Sequence, residues 1–88
     1  SAPVPIVTPE ARYSNEARKK RISGECLISF IVDGQGMPRN PRVVKSLGHG
    51  LDENALEAVS HYRFKPALKA GYEPIPVMIS VAVDFKLH

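Results

Sequence analysis

The sequence carries one cysteine, no tryptophan and two methionines, and its net charge is only +3 over 88 residues. Each scarcity excludes something. A lone Cys26 rules out an intramolecular disulfide and any zinc site built from several thiolates. His49, His61 and His88 share no metal-ligand spacing and read as surface residues. The charge is too small to announce nucleic acid or an anionic membrane as a partner. No apolar run approaches the ~18 residues a membrane span needs, and no signal peptide is visible. The chain opens on Ser1-Ala2-Pro3-Val4-Pro5, the expected look of a domain excised from its anchor or targeting segment.

What is present suits one small domain. The hydrophobic fraction of 43% and charged fraction of 24% are ordinary for a globular chain. A chain this short hides only ~60–65% of its unfolded surface, so one modest core must hold it. Residues 1–9 contain Pro3, Pro5 and Pro9 and read as the extended end of a linker, with the domain proper at residues 10–88.

Local signals order the elements. Ser14 can cap a short helix through Asn15 to Arg21, with Gly24 closing the segment. In Gly24 to Val32, Cys26, Ile28, Phe30 and Val32 share one face of a strand, the expected core side. Asp33-Gly34-Gln35-Gly36 supplies a turn, and a short return strand is expected at Pro41 to Ser46. Asp52 is the expected N-cap of a second helix with its apolar stripe at Leu51, Ala55, Val59 and Tyr62. Pro66 is expected to end that helix at Lys65.

The clearest signal comes last. Val77, Ile79, Val81, Val83, Phe85 and Leu87 alternate with Met78, Ser80, Ala82, Asp84, Lys86 and His88. About eleven alternating residues make a strand twice the usual length. The order α-β-β-α-β predicts an α+β fold, a three-stranded antiparallel sheet with both helices packed on one face. The last strand can lie beside the first, which leaves its other side as a long edge.

Catalysis finds no support. Cys26 falls on an inward strand face and has no indicated histidine partner, so a small buried hydrophobe is the better reading. Asp52, Glu53 and Glu57 are explained by capping and a solvated helix face. The glycines at 34 and 36 match no phosphate loop, and no cofactor is indicated. Arg18-Lys19-Lys20-Arg21 would point around most of a helix and has no aromatic stacking platform beside it, so a solvated basic turn outweighs phosphate contact. The remaining feature is the edge. It offers either a dock for an extended peptide or a strand covered by the N-terminal segment or by a second copy.

These residues resemble a family. Tyr13, Ala17 and Ile22-x-Gly24 lead into Val32-Asp33-Gly34-x-Gly36, followed by Val43/Val44 and Ser46. Then come Leu51-Asp52-x-x-Ala55-x-x-Ala58-Val59, Arg63-Phe64-x-Pro66-Ala67, Gly71 and the alternating strand to Phe85. The ordered set resembles the C-terminal domain of TonB-type energy transducers of Gram-negative bacteria, from about Pro9 to Leu87. Ser14 stands where the family often has proline, and Tyr62 where it commonly has tryptophan.

The resemblance implies a non-enzymatic periplasmic domain, tethered to the inner membrane through a missing N-terminal span and driven by an ExbB/ExbD-type motor. It implies binding of the N-terminal box peptide of an outer-membrane TonB-dependent transporter by strand addition. The binding strand would be Val77, Met78, Ile79, Ser80, Val81, Ala82, Val83, Asp84 and Phe85, flanked by Tyr13 and Arg21. A strand-paired or swapped homodimer, or the sensor domain of a receptor-like membrane protein, is the alternative expectation.

Overall fold

A computed structural model describes residues 1–87. In chain order the elements are β1 (Val4–Val7), α1 (Asn15–Lys19), β2 (Gly24–Val32), β3 (Pro38–Lys45), α2 (Leu51–Ser60), β4 (Arg63–Lys65), β5 (Ala67–Lys69), β6 (Glu73–Ile75) and β7 (Val77–Phe85). The fold is α+β, as the alternation and the two helical patterns imply.

The main sheet has the order β3-β2-β7 and is antiparallel throughout. β2 and β7 pair without a slip from Gly24↔Phe85 to Val32↔Val77. Side chains alternate across a strand, so Cys26, Ile28, Phe30 and Val32 share a face with Val83, Val81, Ile79 and Val77. That face is the core. Cys26, Ile28, Phe30 and Val32 are buried there beneath Ala17 of α1 and Leu51, Ala55 and Val59 of α2. Phe30 sits 5.7 Å from the ring of Phe64 and 6.5 Å from that of Tyr62, and is 1% exposed. Truncating such a side chain to alanine costs roughly 3–5 kcal/mol.

β3 begins three residues earlier than the sequence suggests. Pro38 opens it at a position where no donor is needed, and the ladder slips between Ser29↔Arg42 and Ile31↔Arg39. Asn40 adopts φ 50 there, so Pro41 falls within a bulge and its missing N–H costs no ladder bond.

Three local expectations are corrected. After α1 the chain reverses through Arg21 at φ 55, and Gly24 already belongs to β2. The cap of α2 is Gly50 in the left-handed region, with no side-chain cap bond. Asp52 instead reaches back from the first turn to the preceding loop. Its carboxylate accepts from Leu47 N at 2.9 Å and from the Ser46 hydroxyl, and Cys26 Sγ lies 3.4 Å away. Finally, α2 ends at Ser60, before Pro66 can act. Arg63–Lys65 is then free to form β4, which pairs with β1 through Val4↔Lys65, Pro5↔Phe64 and Val7↔Arg63. The short β5–β6 hairpin follows before β7.

Candidate functional site: an open strand edge

β7 is nine residues long and is hydrogen-bonded on one side only, by β2. Among the described residues, no loop or turn backbone group bonds to Val77–Phe85. The orientation of the free groups follows from the β2–β3 turn. Asp33 N–H donates to the Met37 carbonyl at 3.0 Å, so the amide of residue 33 points at β3. Amides alternate along a strand, so Val32, Phe30, Ile28, Cys26 and Gly24 turn theirs to β7. Their register partners Val77, Ile79, Val81, Val83 and Phe85 are thereby consumed by the ladder. Met78, Ser80, Ala82 and Asp84 present their N–H and C=O groups outward. Their side chains are all exposed.

The turn that fixes this parity is itself well ordered. Asp33 accepts from Gln35 N and Met37 N, both at 2.9 Å, and from Arg39 Nε at 2.8 Å. The Met37 amide first, and then the Arg39 guanidinium, hold its carboxyl below the usual range. Gly36 closes the turn at φ +79 and passes directly against β4, where Phe64 N–H donates to its carbonyl at 3.0 Å.

At its far end the edge borders a groove of about 400 Å³. One wall is Ala82, Val83, Asp84, Phe85 and Lys86; the other is Thr8, Pro9, Glu10 and Ala11, with Tyr13 and Tyr62 between them. Tyr13 stands edge-on to Phe85, with ring centroids 5.6 Å apart, and its hydroxyl donates to the Ile22 carbonyl at 2.5 Å. Burial raises the Tyr62 phenol above its ordinary value. Arg21 is exposed and lies three residues before Gly24, the register partner of Phe85. The fold thus brings Tyr13 against the end of β7 and leaves Arg21 at the same end of the sheet.

Among the described residues, no constellation for catalysis assembles. Cys26 is buried, and desolvation, then the neighbouring Asp52 carboxylate, push its thiol up to about 11. A thiol held protonated in this way is a poor nucleophile. Burial alone would raise the Asp52 carboxyl. The hydrogen bonds from Ser46, Leu47, Cys26 and Gly48 outweigh that effect and leave it below the usual range. Among the described residues no cluster could hold a metal ion. The sequence did not reveal the groove, because its two walls lie some seventy positions apart in the chain.

A family profile described as "Gram-negative bacterial TonB protein C-terminal" matches residues 9–87. Protein TonB of Vibrio cholerae serotype O1 is 33% identical over 80 residues, covering 90% of this chain and 32% of that protein. Protein TonB of Pasteurella multocida is 39% identical over 77 residues, covering 86% of this chain and 29% of that one. The chain therefore spans about a third of the length of these curated relatives. Its fold is similar to that described as "Solution NMR structure of Pseudomonas aeruginosa TonB CTD", with a TM-score of 0.77 at 20% identity, covering 99% of this chain and 88% of that one.

Proposed function

The chain belongs to the Gram-negative TonB protein C-terminal family, whose members are non-enzymatic energy transducers, and from that premise we propose that this domain binds a transporter peptide by strand addition. The short N-terminal box of an outer-membrane transporter pairs with the outer edge of β7 and extends the β3-β2-β7 sheet to four strands. Main-chain bonds to Met78, Ser80, Ala82 and Asp84 supply affinity, while the groove beside Tyr13 and Tyr62 supplies selectivity. The whole protein, anchored in the inner membrane and driven by an ExbB/ExbD-type motor, then passes force through this domain to the transporter's plug.

One observation carries the reading. Four residues of a long strand offer eight outward backbone groups, and nothing among the described residues pairs with them. A row of open groups of this kind templates another strand. The test is an amide NMR titration with box peptides from the source organism's transporters. The expected result is a set of shifts concentrated on Val77–Phe85 and on Tyr13. A well-dispersed spectrum that stays unchanged at millimolar peptide refutes the proposal.

A further inference from the structure

Next to the groove, and sharing Tyr13 with it, lies a second depression lined by Arg12, Tyr13, Ser14, Asn15, Arg18 and Asn54. Its lining includes two arginines and no acidic residue. The side-chain ion pairs of the described residues involve Lys20, Arg39 and His49, and neither Arg12 nor Arg18. The one acid on α1, Glu16, is engaged elsewhere, 3.5 Å from Lys20 Nζ and 3.8 Å from His49 Nδ1.

The basin is also fixed in place. Asn54 of α2 donates to the Arg12 carbonyl at 2.7 Å, which ties the approach to α1 onto the second helix. Ser14 accepts from Ala17 N at 3.0 Å and donates to the His49 carbonyl at 2.5 Å, so its hydroxyl is satisfied. Among the described residues, no ion pair or side-chain hydrogen bond engages the two guanidiniums or the Asn15 side-chain amide, all of which can donate. Donors with no acceptor of their own, around two positive charges, suit a carboxylate.

We propose that this basin receives an acidic flank of the docked peptide: one or two Asp or Glu residues just beyond its strand-forming part, where the peptide passes Tyr13 and leaves the end of β7. The inference rests on the strand-addition reading, because Tyr13 lines both the groove at the end of the open edge and the basin. It adds a charge requirement that the main-chain bonds to β7 cannot impose. Tyr13, which stands against Phe85, also lines the basin, so the requirement applies to one end of the peptide and not the other.

The experiment compares box peptides whose two residues beyond the strand-forming part are Asp-Asp or Asn-Asn, placed at one end or at the other. Binding is read by amide and arginine Nε NMR at low salt. All four peptides are expected to shift Met78–Asp84. Only the acidic flank at one particular end is expected to shift Asn15, Arg18 and Asn54 as well, and to tighten binding roughly threefold to tenfold. That gain is expected to shrink in 0.5 M NaCl and to vanish in the Arg12→Gln/Arg18→Gln double variant, whose strand shifts with the Asn-Asn peptides persist. Equal affinities with no response in the basin would overturn the inference and leave strand addition standing. An acidic gain that survives in the double variant would also overturn it, by placing the contact elsewhere. Absence of strand shifts with every peptide would remove the strand-addition reading, and this inference with it.

Discussion

Gly36 and Gly71 are a matched pair for asking what the β2–β3 turn contributes. Their backbones are nearly the same, at φ +79 and +82. An alanine in that region costs about 1–2 kcal/mol at either site from its own Cβ sterics. The surroundings differ. A Cβ on Gly71 meets nothing within 4 Å, whereas a Cβ on Gly36 falls 1.9 Å from the Phe64 carbonyl oxygen and 2.9 Å from its carbon. Both are backbone atoms, so no side chain can rotate away. Relief requires the turn and β4 to separate, which breaks the Phe64 N–H to Gly36 bond, worth about 1 kcal/mol net. It also loosens Phe64 from Phe30, for a further cost of about 1–2 kcal/mol in partly lost burial. Gly36→Ala is therefore expected to cost about 3–5 kcal/mol and Gly71→Ala about 1–2. A domain of this size has roughly 4–13 kcal/mol in total. Urea unfolding followed by circular dichroism measures both. Equal midpoint shifts for the two variants would refute the argument that close approach, rather than φ alone, demands glycine at 36.

Three further outcomes follow from the same geometry. Ala82→Pro removes an outward donor and is expected to keep the fold while weakening box-peptide affinity at least tenfold. Val81→Pro removes a ladder donor and should destabilise the domain before binding can be assayed; the reverse pattern would overturn the assigned parity of β7. Asp33 and Asp52 both titrate below their ordinary 3.8 in the folded chain, so their stabilisation is complete above that value and is lost as pH falls through the folded values. Urea midpoints should drop between pH 5 and pH 2, and Asp52→Asn should flatten part of that drop; an unchanged pH profile in the variant refutes the role given to Asp52. Cys26, with its thiol raised to about 11, should resist a thiol-disulfide reagent at pH 8 in the native state and react promptly in 8 M urea. Fast native labelling would contradict its burial.

The long periodic elements were legible in the sequence because their patterns are local. Cys26 to Val32 and Val77 to Phe85 declare their faces by alternation alone, and Ser14 declares its cap by standing before Asn15-Glu16. The short strands were not legible. Arg63–Lys65 and Ala67–Lys69 have three residues each, too few for a period, and β1 is defined by a partner nearly sixty positions away. Asp52 was misread because a carboxylate in the first turn looks the same in sequence whether it caps its own helix or reaches back to residues 46–48. The edge could be expected, but its outward parity could not, since that depends on the Asp33–Met37 bond. Arg12 gave no signal as a single charge in the chain. Only the fold sets it beside Arg18, while its neighbours in sequence had suggested nothing more than a solvated basic turn.

The contact between β1 and β4 has a mechanical meaning. It consists of three register pairs, one of them on the core residue Phe64, and all four residues of β1 are exposed. A pull entering the domain from its N-terminal side meets the two Ser1–Leu68 hydrogen bonds and then this seam. When the seam yields, about nine residues pay out ~30 Å of chain before the load reaches Ala11 and Tyr13, which pack on the core. The same release draws Thr8 and Pro9 away from the groove beside Ala82 and Asp84. If the edge grips a peptide as proposed, tension and grip would be mechanically coupled: a slack domain keeps a two-walled slot at the end of its edge strand, and a taut one would keep a single wall.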